Sequence, residues 1–268
     1  MSSKNRIRGA LAVLFIAVCA AVLFRFFLER HIYGKLEGHL RTMVGYKGHM
    51  DGIGLSVWRG AYQIEGLKIT KIEGPAPVPF FYAPVIDIGL QWPEIFKGDL
   101  VASVVVEDGQ LNFIGGPSRE QSQAGAGVDW LKVLSSLAPI QINRFSLQGG
   151  EICFKDPYGK PPVDMKMEGV QLEARHLYRP AEASDKLPGS VQASAKVMGK
   201  ARFTMDARFD PRAAAPTFDY RADLAGLELT QLDPLFQRYL AMQVLGGTAD
   251  IHSEGTGSGG AFKGYIKP

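Results

Sequence analysis

The chain is poor in the residues that build reactive sites. Its 268 residues include two cysteines, five histidines and three tryptophans. Cys19 stands in an apolar N-terminal run and Cys153 in a strand-like stretch far along the chain, so no disulfide framework is expected. His31, His39, His49, His176 and His252 show no metal spacing, and His31 and His39 are too far apart for neighbouring turns of a helix. There is no G-x-S-x-G elbow and no H-E-x-x-H. Gly255, Gly257 and Gly260 match G-x-G-x-x-G, but a dinucleotide fingerprint follows a parallel strand and opens a helix. Here the strand-like "AFKGYIKP" follows, and no Lys-Ser or Lys-Thr comes after Gly260. The stretch reads as a hairpin loop that binds no nucleotide, where Gly257→Ala should do little harm. The acids are scattered along polar strand faces. No catalytic residue, metal or cofactor is expected, and the chain does not read as an enzyme.

Acids are also missing from residues 1–28, which hold Lys4, Arg6, Arg8 and Arg25. Take those four away from a net charge of +3, and the rest of the chain stands at −1. The body is nearly neutral, which gives no reason to expect a nucleic-acid partner. With 46% hydrophobic and 21% charged residues it is a folding sequence, long enough for one large domain or two small ones.

What is present begins with a membrane signal. Residues 9–24 read "GALAVLFIAVCAAVLF" without a charge, and "FFL" resumes after Arg25. A bilayer needs roughly 20 apolar residues as a helix. The run Gly9 to Leu28 meets that length if Arg25 extends its head to the lipid headgroups. Lys4, Arg6 and Arg8 before it put the N-terminus in the cytoplasm. A cleaved signal peptide is the other reading, since Val18-Cys19-Ala20 has small residues suited to a peptidase. Cleavage there would leave "AVLFRFFL" as the new terminus, so the retained anchor is preferred. A lipoprotein site at Cys19 fits less well, because Val18 is bulky. In every case the body is exported.

Residues 29–46 continue the helix, with Ile32, Leu36, Leu40 and Met43 on one face, as a cap for the end of a sheet. After Lys47 the period changes to two. Ile86, Ile88, Leu90 and Trp92 alternate with polar residues or glycine, and Ala102, Val104 and Val106 form a second such row. The runs 191–197, 201–209 and 218–224 repeat the pattern. These are half-buried strands. A weak repeat joins Val106-Gly109-Leu111-Phe113, Leu147-Gly150-Ile152-Phe154 and Val244-Gly247-Ala249-Ile251. Asp108, Gly149 or Gly246 precedes each glycine, as in two-residue hairpin turns, which predicts an antiparallel meander. "VDWLKVLSSL" and "LDPLFQRYLAM" read as short helices, the second with Asp233 as N-cap and Pro234 at the first position. Loops are expected at 74–79, 115–127 and 179–189, and the middle one can divide two sub-sheets within the domain 47–268. Arg59, between Trp58 and Gly60, reads as a surface charge at a turn, with a grip on an anionic headgroup as the alternative.

The order of these segments carries a resemblance. "GLSVWRGAYQIEGLKITK" and "APVIDIGLQWPEIFKGDLVASVVVEDGQLNFI" are followed by "IQINRFSLQGGEICFKDP" and "MEGVQLEARHLY". The chain closes with "FDYRADLAGLELTQLDPLFQRYLAMQVLGGTADIHSEGTGSGGAFKGYIKP". Over nearly its whole length, anchor included, it resembles the bacterial AsmA-like envelope proteins, in particular the group called domain of unknown function 748. Each motif alone is diffuse. The resemblance implies an inner-membrane anchor and a periplasmic body, a long curled β-sheet with an apolar face. On the same resemblance, that face is expected to carry phospholipid acyl chains in outer-membrane assembly. Partners so implied are membrane lipid, the inner membrane and other envelope proteins. No catalytic residue comes with the family. Longer relatives continue past the "KP" ending, which makes this chain a short member or a truncated one.

The fold class expected is therefore mainly β, an N-terminal transmembrane helix followed by a curled antiparallel sheet with a few short helices. The candidate lipid groove is Tyr62, Ile64, Ile86, Ile88, Leu90, Val104, Val106, Leu111, Phe113, Ile152 and Phe154. The alternative is a structural or interaction module whose sheet packs on itself and whose edges bind partners.

Overall fold

The computed structural model describes residues 3–41, 43, 45–74, 78–91, 101–118, 120–124, 141–178 and 186–268. The helix expected at 128–137, Trp92 and parts of the three expected loops lie outside them. Helix α1 covers Ser3–Arg41. The side chains of most residues up to Phe24, and so most of the expected span, are also outside the described set. Among the described residues no helix is long and apolar enough to cross a membrane.

The body is mainly β. Its first strands are β1 (Tyr46–His49), β2 (Gly52–Ser56), β3 (Ala61–Lys71), β4 (Phe81–Leu90), β5 (Val101–Glu107) and β6 (Gln110–Ile114). Then come β7 (Gln141–Asp156), β8 (Val163–Arg175), β9 (Gly189–Val197), β10 (Ala201–Phe209) and β11 (Phe218–Glu228). Helix α2 (Asp233–Leu240) precedes β12 (Thr248–Ser258) and β13 (Ala261–Lys267). The thirteen strands of the described residues form one sheet, in the order β1-β3-β4-β5-β7-β8-β9-β10-β11-β12-β13. β2 lies end to end with β1 against β3, and β6 continues β5 between β4 and β7.

The sheet is mixed, which corrects the antiparallel meander. Both β5 and β6 run parallel to β7. The reason is the connection: residues 115–140 separate β6 from β7, and a chain of that length can return to the other end of the sheet before pairing. From β7 onward each strand pairs antiparallel with the next.

Helix α1 closes one face of the N-terminal half. Leu36 and Leu40 are buried in a core with Met50, Ile53, Ile64, Leu67, Ile86, Ile88, Val104 and Val106, and Ile32, Tyr33 and Met43 pack against it. The apolar stripe Ile32-Leu36-Leu40-Met43 thus meets the alternating apolar face of the strands.

The three expected hairpin turns are not hairpins. Asp108-Gly109 separates β5 from β6, Gly149-Gly150 lies inside β7, and Gly246-Gly247 leads into β12. A G1-type bulge takes positive φ at its first residue as such a turn does, so one dipeptide can serve either. The tight turn is Gly259-Gly260, with φ +59° and +82° and Ser258 paired to Ala261 across it. This places a hairpin within the G-x-G-x-x-G stretch.

The irregularities form a line. Gly66 in β3 (φ +60°) faces Pro84 in β4; Asp108 (φ +50°) follows, then Gly149 (φ +71°), Gly169 (φ +59°) and Gly226 (φ +73°). The registers of β7 with β8, β8 with β9 and β11 with β12 all shift along it. It is a transverse crease, because each bulge bends its strand and steepens its twist. Backbone conformation favours glycine at position 149, since φ +71° strains any residue with a side chain; a Cβ there would also displace Asp108 Oδ1, 2.4 Å away. The first two copies of the repeat are neighbours across this line. Val106 pairs with Leu147, Leu111 with Ile152 and Phe113 with Phe154.

Helix α2 starts one residue away from its expected cap. Leu232 occupies the N-cap, with Asp233 in the first turn beside Pro234. The Asp233 carboxylate instead accepts the Val244 backbone N–H at 2.7 Å and Gln237 Nε2 at 2.6 Å, which ties down the segment leading to β12.

Candidate functional site

The groove candidates fall into two groups. Ile64, Ile86, Ile88, Val104 and Val106 are core residues on the side closed by α1, and Ile88 is 3% exposed. They offer a ligand almost no surface. Tyr62 packs against them, half-buried, and burial pushes its hydroxyl pKa up to about 12. Leu90, Leu111, Phe113, Ile152 and Phe154 are half-buried. Leu111 and Phe113 pack on a second cluster of Tyr46, Ile69 and Phe80, in which Phe80 meets both Tyr46 and Phe113 edge to face.

The apolar face continues well beyond this capped half. In β10, Phe203, Met205, Ala207 and Phe209 are half-buried while Arg202, Thr204, Asp206 and Arg208 are exposed. The registers carry that face across four more strands. Ala193 pairs with Met205, Met205 with Ala222, Phe203 with Leu224 and Leu224 with Ile251. On β13 the row ends in Phe262 and Ile266, 63% and 73% exposed. Among the described residues the main packing of α1 is on β1 and β2, and that of α2 is on β8.

Glycines make this face flat enough for rings to lie on it. A Cβ at Gly257 would stand 2.4 Å from Phe218 Cε1, and one at Gly255 would stand 2.6 Å from Tyr220 Cε1 and 2.9 Å from Phe262. The rings of Tyr220 and Phe262 stack at 6.4 Å and those of Phe218 and Phe262 at 6.3 Å. So Gly255 and Gly257 are seats for aromatic rings on neighbouring strands. In Gly257→Ala the Phe218 ring has to tilt away.

The opposite face is a polar ladder. Arg221 pairs with Glu254 at 2.6 Å, Tyr265 donates to Glu254 at 3.0 Å, and His252 Nδ1 is 2.6 Å from Asp223 Oδ1. The Asp223 carboxylate raises the His252 pKa, against the opposing effect of desolvation. These are cross-strand pairs between neighbours in register. Among the described residues no group of three His, Cys, Asp or Glu is placed to hold a metal.

No protein-family model and no curated protein matches the chain.

Two other features give no chemistry. Both cysteines are free. Cys153 is buried, and burial followed by the hydrogen bond to Glu151 pushes its thiol pKa up to about 11, so it is a poor nucleophile at neutral pH. The Arg59 guanidinium pairs with Asp87 at 2.8 Å, and Gln63 donates to the same carboxylate oxygen. The residues missed in the sequence are Phe203, Met205, Phe218 and Tyr220. Their alternation is as clear as that of β4; what could not be seen is that α1 closes one half of the sheet and leaves the other.

Proposed function

We propose that this chain is a membrane-anchored sheet protein of the bacterial envelope. Its open apolar face, β9 to β13, shields or conducts phospholipid acyl chains. The observation that carries the reading is the continuous row from Ala193 through Met205, Ala222 and Phe218 to Phe262 and Ile266, backed by a polar face. A contiguous apolar surface left in water is costly, and acyl chains match it in chemistry and in extent. The resemblance to AsmA-like proteins of the domain 748 group points the same way. So does the uncharged run 9–24, read as part of an inner-membrane anchor with the body periplasmic.

The second reading, a self-packed interaction module, has its own support in the burial of Ile64, Ile86, Ile88, Val104 and Val106 beside α1. The two separate at Met205. A photo-crosslinking residue there, in the full chain in native membranes, should capture phospholipid. The same probe at Thr204, on the polar face, and at Ile88, in the core, should not. Capture of protein but no lipid at Met205 would sink the lipid reading in favour of the module.

A further inference from the structure

The turn between β2 and β3 carries the most exposed large apolar side chain described, Trp58 at 96%. Its position relative to α1 follows from three contacts. Leu40 fills the space over Gly48, Glu37 stands 3.8 Å from His49, and the Tyr33 hydroxyl donates to the Met50 carbonyl at 3.4 Å. Towards its N-terminus, therefore, α1 runs the same way as the chain from β1 into β2. From Tyr33 to Leu28 the helix climbs only about 7.5 Å at ~1.5 Å per residue. From Met50 to Ser56 an extended chain covers up to about 20 Å at ~3.3 Å per residue, before the turn Val57–Arg59. Even inclined to the helix by about 50°, the strand keeps roughly 13 Å of that reach. The turn thus extends past the level at which the apolar run 9–28 begins.

If that run spans the bilayer, Trp58 has to meet the membrane. Its indole has an apolar body and one N–H, the combination that settles at the headgroup boundary. Phe26 and Phe27 are exposed on α1 at the start of the same run. Arg59 is held by Asp87, which leaves the tryptophan as the contacting group. We propose that Trp58 docks on the lipid surface, its indole in the headgroup layer of the membrane that holds α1. This rests on the anchor reading above.

The test uses the full chain reconstituted into vesicles of phosphatidylcholine and phosphatidylglycerol. Trp92→Phe and Trp130→Phe make Trp58 the sole indole. Its emission should move to shorter wavelength than that of an indole in water. Lipids brominated near the headgroup end of the chain should quench it about two-fold or more. In a chain whose three tryptophans are replaced by Phe, Lys263→Trp, exposed on the polar face of the far edge strand, should stay unquenched. In the otherwise native chain, Trp58→Phe should remove the quenched emission, which gives a second reading should the double variant lose its far-ultraviolet β signature. Chain that floats with the vesicles while Trp58 emits as in water, unquenched, overturns the contact and leaves the anchor standing. Chain that does not float with the vesicles overturns both.

Discussion

Asp156 is 1% exposed at the end of β7 and keeps its charge because four donors surround it. Arg238 Nε and the Tyr239 hydroxyl donate to Oδ2 at 2.9 Å each, and the backbone N–H groups of Tyr158 and Gly159 donate to Oδ1 at 3.1 Å. Burial alone would push the carboxyl pKa up; the bonds from Arg238, Tyr239 and Tyr158 outweigh it and hold it below its ordinary 3.8. One carboxylate thus pins α2 to the turn after β7. Asp156→Ala should destabilise the protein by about 3 kcal/mol, since it strands two backbone donors and frees a guanidinium. Urea titration checks this, and a change below about 0.5 kcal/mol would show the latch to be ornamental. The sign of the pH effect follows from the lowered pKa. The contribution is complete above the unfolded value near 3.8 and disappears as pH falls through the lower folded one, so the wild type should lose this part of its stability in acid and Asp156→Ala should not.

Among elements, the C-terminal half of α1 has the plainest energetic role. Leu40 is 1% exposed and fills the space over Gly48. Leu40→Ala should cost about 3 kcal/mol in chemical denaturation. A negligible cost would mean that the helix lies beside the sheet without stabilising it. This helix was legible in the sequence because a period of four, four and three on one face has a single geometric meaning. The strands β4, β9, β10 and β11 were legible for the same reason, with period two. Pairing was not. Asp108-Gly109 and Gly149-Gly150 permit positive φ, and the chain uses that freedom for a break between β5 and β6 and for a bulge in β7 rather than for turns. Nor could local pattern show that 115–140 returns the chain in parallel, because that depends on where its two ends lie. The candidate site was half legible: which residues share an apolar face could be read, but not which of them the helix would claim.

At the scale of the molecule, thirteen strands occupy eleven positions, because β1 with β2 and β5 with β6 share places in the order. At ~4.8 Å per strand the sheet is about 50 Å wide. If residues 9–28 are retained as an anchor with Lys4, Arg6 and Arg8 on the cytoplasmic side, a reporter active only outside the cytoplasm should work when fused after Pro268. Activity of a cytoplasmic reporter there, with a silent periplasmic one, would reverse the orientation. Within this width the crease has a mechanical meaning. Ladder bonds are missing or displaced where it crosses β3, β7, β8 and β11, while the pairing of β9 with β10 passes through with unbroken register. A plate scored along one line is stiff on either side and compliant across the score. Bending of this sheet should therefore concentrate on that axis, and amide hydrogen exchange should trace it as a band of early-exchanging positions through Gly66, Gly149, Gly169 and Gly226. The stretch of β9 and β10 between them should stay slow, the one place where the score is held shut.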